Sequence, residues 1–134
     1  MKRQLLMLAL ASCFAASQAV AMTPDEYKAS KEKIEADYKM DKAKCDGLKD
    51  NAKDVCQKEA EGKQKVAKAE LEQQFKPSDA QAMKVEQEKV EATYAVAKEK
   101  CDDLQGDAKN ACQKQAKADE TRGKAELRTT MTKK

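Results

Sequence analysis

The amino-acid sequence predicts an all-α protein: two tandem helical hairpins, four helices in all, each clamped by a disulfide and arranged as a small bundle or an elongated pair. Three observations carry this reading. A block from Lys28 to Glu72 recurs 56 positions later as Lys84 to Arg128, with 21 of 45 aligned positions identical. Each copy holds one C-x10-C pair, Cys45 with Cys56 and Cys101 with Cys112. Ala, Lys, Glu and Gln are abundant, and these residues lose little side-chain freedom in a helix. No segment has the alternation and β-branched or aromatic enrichment of a strand.

The first residues read as an address and not as part of the fold. Lys2 and Arg3 precede an apolar stretch from Leu5 to Phe14, and the run closes on Ala19-Val20-Ala21, the small-x-small pattern of a secretory cleavage site. Residues 1 to 21 are therefore expected to be a signal peptide cleaved after Ala21, sending the chain to the periplasm or outside the cell. Its apolar core falls short of the roughly 20 residues that span a bilayer. No later segment comes close, so no transmembrane segment is expected in the mature chain. A rival reading takes Leu10-Ala11-Ser12-Cys13 as a lipoprotein box, with Cys13 acylated in the outer membrane. Either choice removes the odd fifth cysteine and leaves Cys45, Cys56, Cys101 and Cys112. In an exported chain of this size, four cysteines read as two disulfides.

The helices follow in order, with repeat 1 over 22–77 and repeat 2 over 78–134. The first helix is predicted near 24–49, opened by Thr23-Pro24-Asp25-Glu26: an N-cap, a proline at the first helical position and a glutamate completing a capping box. Tyr27, Ile34, Tyr38, Cys45 and Leu48 give it one apolar seam, interrupted by Lys31 and Asp41. Asp50-Asn51 tolerates turn geometry, so the second helix is placed near 51–76, carrying Ala52, Val55, Cys56, Val66, Leu71 and Phe75. Pro77 ends it. Ser78-Asp79-Ala80-Gln81 repeats the capping box and opens a third helix near 79–105, with Met83, Val90, Tyr94, Ala97, Cys101 and Leu104 on its seam. Gly106 suits the left-handed conformation that stops a helix, and Asp107 can cap the fourth, near 107–130. That last helix has little apolar surface beyond Cys112, Leu127 and Met131 and is expected to be the least stable.

A turn midway between Cys45 and Cys56 puts the two thiols at one height on facing helices, and the same holds for Cys101 and Cys112. The rival geometry is one uninterrupted helix through each pair, which would set the thiols about 16 Å apart on one face. Pairing of Cys45 with Cys101 or Cys112 stays open from sequence alone.

Composition bounds the function. Removing Lys2 and Arg3 turns a charge balance of 27 against 24 into 25 against 24; with the charges interspersed, no basic footprint for nucleic acid results. Leu, Ile, Val and Phe number only 11 of the 113 residues after Ala21, so a thick core is not expected. Ten residues between cysteines is wrong for zinc ligands, there is no histidine, and C-x-x-C is absent. No metal, cofactor or catalytic residue is therefore expected. Ser78 reads as a cap, and Tyr38 and Tyr94 as packing residues with ligand contact as the sharper alternative. Acid-before-lysine pairs four residues apart, such as Glu35 with Lys39, Asp54 with Lys58 and Glu59 with Lys63, favour helix on exposed faces.

The signal peptide, the Lys/Ala-rich helical repeats and the phrases Lys44-Cys45-Asp46, Asp107-Ala108-Lys109-Asn110-Ala111-Cys112 and Glu88-Lys89-Val90-Glu91-Ala92 together resemble a group of small exported proteobacterial proteins. Some of these carry the label TolA-like cell-envelope protein. The resemblance covers nearly the whole chain after the signal and implies an envelope protein. This sequence departs from TolA in having no membrane-spanning anchor and no C-terminal domain of mixed helix and sheet, so TolA's partners are not carried over. The expected function is a non-enzymatic structural or interaction role in the envelope, through an unknown envelope protein or self-association. The alternative is a small-ligand or stress-protective binding protein, with or without a lipid anchor at Cys13.

Overall fold

The structure is a computed structural model that describes residues 21–133. Residues 1–20 of the expected signal peptide, Cys13 among them, lie outside the described residues. Four helices follow one another: α1 (Pro24–Cys45), α2 (Asp50–Phe75), α3 (Asp79–Lys100) and α4 (Gly106–Thr132), with a 3-10 turn at Cys101–Asp103 between the last two.

Local chemistry sets the boundaries. The Thr23 hydroxyl accepts the Glu26 N–H at 3.2 Å, and Glu26 Oε2 accepts the Thr23 N–H at 2.8 Å, the reciprocal box the sequence predicts. At Ser78 only half of that box forms. Its hydroxyl accepts the Gln81 N–H at 3.0 Å, while its own N–H goes back to Gln73 Oε1 at 3.2 Å, tying α3's start to α2's last turn. Both hairpin turns begin earlier than expected. The chain leaves α1 at Cys45 and α3 at Lys100, so Leu48 and Leu104, placed on helix seams from sequence, sit in the turns and are 42% and 41% exposed. Asp50 and Gly106 then reverse the chain at φ +51° and +58°. Gly106 accepts that left-handed conformation freely, and aspartate is among the few other residues that visit it. Asp107 lies in the first turn of α4, and Gln105 takes the cap position without a side-chain bond.

Each helix packs on its neighbour in the chain: α1 on α2, α2 on α3 and α3 on α4. Side-chain positions show how. Gln64 of α2 reaches Glu35 of α1 at 2.8 Å, whereas Asn51 donates to the Glu99 carbonyl of α3 at 2.8 Å and Gly62 abuts Ala92. At 100° per residue, Gln64 and Gly62 lie on opposite sides of α2. On α3, Ala92 faces α2 while Val90, Tyr94 and Ala97 border α4. The four helices therefore stand side by side in one layer, joined at the α2–α3 seam, and do not close into a ring.

A single layer of helices has a thin core. Its buried apolar residues are Cys45, Ala60, Ala69, Leu71, Val85, Cys101 and Ala116. Small residues bring the backbones close: a Cβ added at Gly62 would stand 2.8 Å from the Ala92 Cβ, and one at Gly123 would stand 2.9 Å from a Val90 methyl. Hairpin 1 is also pinned at its open end. The Tyr27 and Phe75 rings stack with centroids 4.5 Å apart, and the Tyr27 hydroxyl donates to the Glu72 carboxylate. Hairpin 2 has Met83, Met131 and Arg128 at the equivalent places, with an open groove of about 300 Å³ lined by Met83, Leu127 and Met131.

Candidate functional site

The sulfur chemistry is structural. Cys45 bonds to Cys56 and Cys101 to Cys112, each with Cα atoms 5.6 Å apart, inside the ordinary range for a disulfide. The chain reversal between each pair realises the hairpin geometry; an uninterrupted helix would have held the thiols far apart. Cys45 and Cys101 have no exposed surface at all. All four expected cysteines are thus committed to clamps across neighbouring helices. Such bonds belong to an oxidising, extracytoplasmic setting. Among the described residues no helix is long and apolar enough to cross a membrane, and no group of three or more cysteines and carboxylates is placed to hold a metal ion.

Ion pairs decorate the layer's surfaces and stitch helix to helix. Of the three pairs named from sequence, two give way to partners across the seams, and in the third the lysine takes another acid on its own helix. Glu35 accepts from Lys68 at 2.5 Å as well as from Gln64, and the Lys68 bond holds its carboxyl below the usual range. Glu59 meets Lys100 of α3 at 3.5 Å, and Lys63 meets Asp41 of α1 at 3.6 Å. Lys58 turns to Glu61 at 3.1 Å. Facing helices offer lysines an opposite charge at a distance that helical spacing also supplies, so sequence spacing alone does not choose between them.

Glu120 is the one buried charged residue among those described, 8% exposed. Lys117 at 2.7 Å and Lys124 at 2.8 Å flank it, and their hydrogen bonds, Lys117's first, lower its pKa. Lys124 also reaches Glu91 of α3 at 3.6 Å, making Glu120 the anchor of the α3–α4 charge network. Its counterpart in repeat 1 is Gln64, which carries no charge and instead bonds directly across to Glu35 of α1.

The tyrosines singled out from sequence occupy equivalent settings. Tyr38 lines an open groove of about 210 Å³ between α1 and α2 with Ile34, Asp37, Asp41, Ala60 and Lys63. Tyr94 lines its repeat counterpart, about 240 Å³, between α3 and α4 with Val90, Thr93, Ala97, Ala116 and Glu120. Ammonium groups stand over both rings, Lys42 at 5.9 Å from Tyr38 and Lys117 at 5.2 Å from Tyr94. The two tyrosines are half-buried packing residues beside small clefts, and the structure does not bring them together.

A larger feature lies between them. The α2–α3 seam carries an open groove of about 620 Å³ whose floor is Gly62, Val66, Ala67, Ala92, Val96 and Ala97. Lys63 and Ala67 are shared with the Tyr38 cleft, and Lys89, Thr93 and Ala97 with the Tyr94 cleft. All three depressions therefore open on one face of the layer. Sequence reasoning missed this face because its apolar residues are small and spread over two helices. The signal that could have found it is Gly62 and Val66 on α2 and Ala92 and Val96 on α3, small residues at helical spacing on facing positions. No protein-family model, no curated protein and no solved structure matches this chain.

Proposed function

We propose that this protein is a non-enzymatic helical protein of the bacterial periplasm, one of the exported Lys/Ala-rich repeat proteins, acting by interaction with an envelope component. Export by a signal peptide cleaved after Ala21 accounts for a chain whose folded part is fastened by two disulfides. The observation that carries the interaction role is the apolar groove on one face of the α2–α3 seam. A helical layer ordinarily covers its apolar face with a second layer of structure, and α1 and α4 lie beside the seam without covering it. Contact through this face is the activity proposed.

The test uses a photo-crosslinking residue placed in live cells at Val96, on the groove floor, or at Lys65, exposed and on the other side of α2. Discrete adducts at Val96 and none at Lys65 are expected. Equal adduct patterns at the two sites would refute an interaction face.

A second reading, a small-ligand or stress-protective binding protein with or without acylation at Cys13, has the paired tyrosine clefts in its favour. At about 210 and 240 Å³ each is smaller than the roughly 300 Å³ where small-molecule sites begin. Palmitate labelling of Cys13, and retained stability with lost binding in Tyr38→Phe/Tyr94→Phe, are its distinguishing results.

A further inference from the structure

We infer that the partner of the α2–α3 groove face is a second copy of this chain, stacked face to face about a two-fold axis that runs along the seam. The inference rests on the interaction reading above and gives it an occupant. Charge placement selects both the partner and the axis. At each end of the groove an acid of α2 stands opposite a lysine of α3: Glu59 with Lys100 at 3.5 Å, and Glu70 with Lys89 at 3.7 Å. All four line the groove. Lys89 is also held by Glu86 of its own helix at 2.9 Å, and the fifth rim charge, Lys63, by Asp41 of α1 at 3.6 Å.

A self-complementary interface places the same patch on both subunits. Rotation about the seam lays one copy's α2 over the other's α3. Glu59 of one chain then faces the partner's Lys100, and Glu70 faces the partner's Lys89, at both ends and in both directions. Rotation about an axis across the seam lays α2 over α2 instead, bringing Glu59 toward the partner's Glu70 and Lys100 toward the partner's Lys89. Like charges directly opposed suppress that pairing. The apolar floor has a matching role, because Val66 and Val96 are its only large side chains beside Gly62, Ala67, Ala92 and Ala97, and small residues let a facing helix approach closely.

Size agrees with a dimer of moderate affinity. A 22-residue helix is about 33 Å long at 1.5 Å per residue, and two helices side by side are roughly 20 Å wide. That is on the order of 650 Å² per copy and 1,300 Å² for the pair, the lower part of the range for stable interfaces. Micromolar association is the expectation. The second copy also supplies the second layer that an open row of helices lacks.

Sedimentation of the oxidised mature protein from about 1 μM to 1 mM is the first measurement, with a monomer–dimer shift expected. Val96→Asp touches no ion pair and should weaken association at least about tenfold with helicity unchanged. Lys89→Glu/Lys100→Glu and Glu59→Lys/Glu70→Lys should each be monomeric alone and form a mixed dimer when combined, a recovery that general misfolding does not produce. A wild-type monomer throughout the range overturns the inference, as does a Val96→Asp variant that still dimerises. Val96 adducts in cells that contain only a different envelope protein overturn self-association and leave the interaction reading standing. Val96 adducts that contain only a second copy of this chain support the dimer and remove the reading of contact with a different envelope component, and absence of any Val96-specific adduct overturns both.

Discussion

Replacing Gly62 by Ala pits two effects of similar size against each other, and the structure decides the sign. In the interior of a 26-residue helix, alanine is favoured over glycine by about 1 kcal/mol. The new Cβ, however, would lie 2.8 Å from the Ala92 Cβ and 3.6 Å from its Cα, where carbon pairs ordinarily rest about 3.5–4.0 Å apart. Both contacts involve atoms fixed to backbones, so no side chain can swing away and α2 and α3 must part. Overpacking of this kind costs about 1–3 kcal/mol, leaving Gly62→Ala about 0–2 kcal/mol less stable. In an Ala92→Gly background the obstruction is gone, and the same change should stabilise by about 1 kcal/mol. The coupling between the two sites is then about 1–3 kcal/mol. Ala118, the repeat counterpart of Gly62, is exposed, and Ala118→Gly should simply lose about 1 kcal/mol. Urea unfolding followed by circular dichroism at 222 nm on the oxidised proteins reads all four quantities. If Gly62→Ala stabilised equally in both backgrounds, the close approach of α2 and α3, and the single-layer arrangement built on it, would be wrong.

Other expectations follow from particular residues. Gly106→Ala adds a Cβ that meets no atom within 4 Å, so its cost comes only from holding φ at +58° and should be about 1–2 kcal/mol by thermal unfolding. Each disulfide closes a loop of 12 residues, 11 apart in sequence, and removing either as a double Cys→Ala variant should cost about 3 kcal/mol. Hydrogen exchange should then show hairpin 2 losing protection further than hairpin 1, which keeps its Tyr27–Phe75 stack; equal losses would contradict the role given to that stack. Glu120 has a lowered pKa in the folded state, so its pairs stabilise the fold above the unfolded carboxyl value of about 4.3. That contribution disappears as pH falls through the lower folded value. Glu120→Gln should therefore be less stable than wild type at pH 7 and match it once the pH has fallen below the folded value, and a gap that persists there would rule out the charge as its source.

Much of the fold was legible because it is written in local chemistry. Thr23 with Glu26, Ser78 with Gln81, Pro77 and Gly106 mark helix ends through bonds and φ values that depend on a few adjacent residues. The cysteine pairs were legible because a turn halfway between them leaves little geometric choice. What periodicity does not contain is the identity of the facing element. Glu59 and Lys63 are four apart on one helix, yet each is bonded to a different neighbour. Whether the hairpins formed a bundle or an extended pair also depended on Gly62 and Ala92, small residues that carry almost no hydrophobic signal. Leu48 and Leu104 fit the seam only if α1 and α3 continue to them, and both helices stop first. The groove face was obscured for the same reason: its floor is mostly alanine and valine, dispersed over two repeats.

The even spacing of the clamps bears on how the chain reaches its oxidised form. Partners 11 residues apart meet by closing a short loop, an event on the order of 10–100 ns in a flexible chain. A bond from Cys45 to Cys101 would need a loop about five times longer, and the entropy of closing it is less favourable by about 1.4 kcal/mol, or tenfold. Correct partners are thus the nearest partners before any helix packs. Each hairpin can be fastened separately in an oxidising setting, with no need for the other to have folded and little demand on an isomerase to repair mistakes.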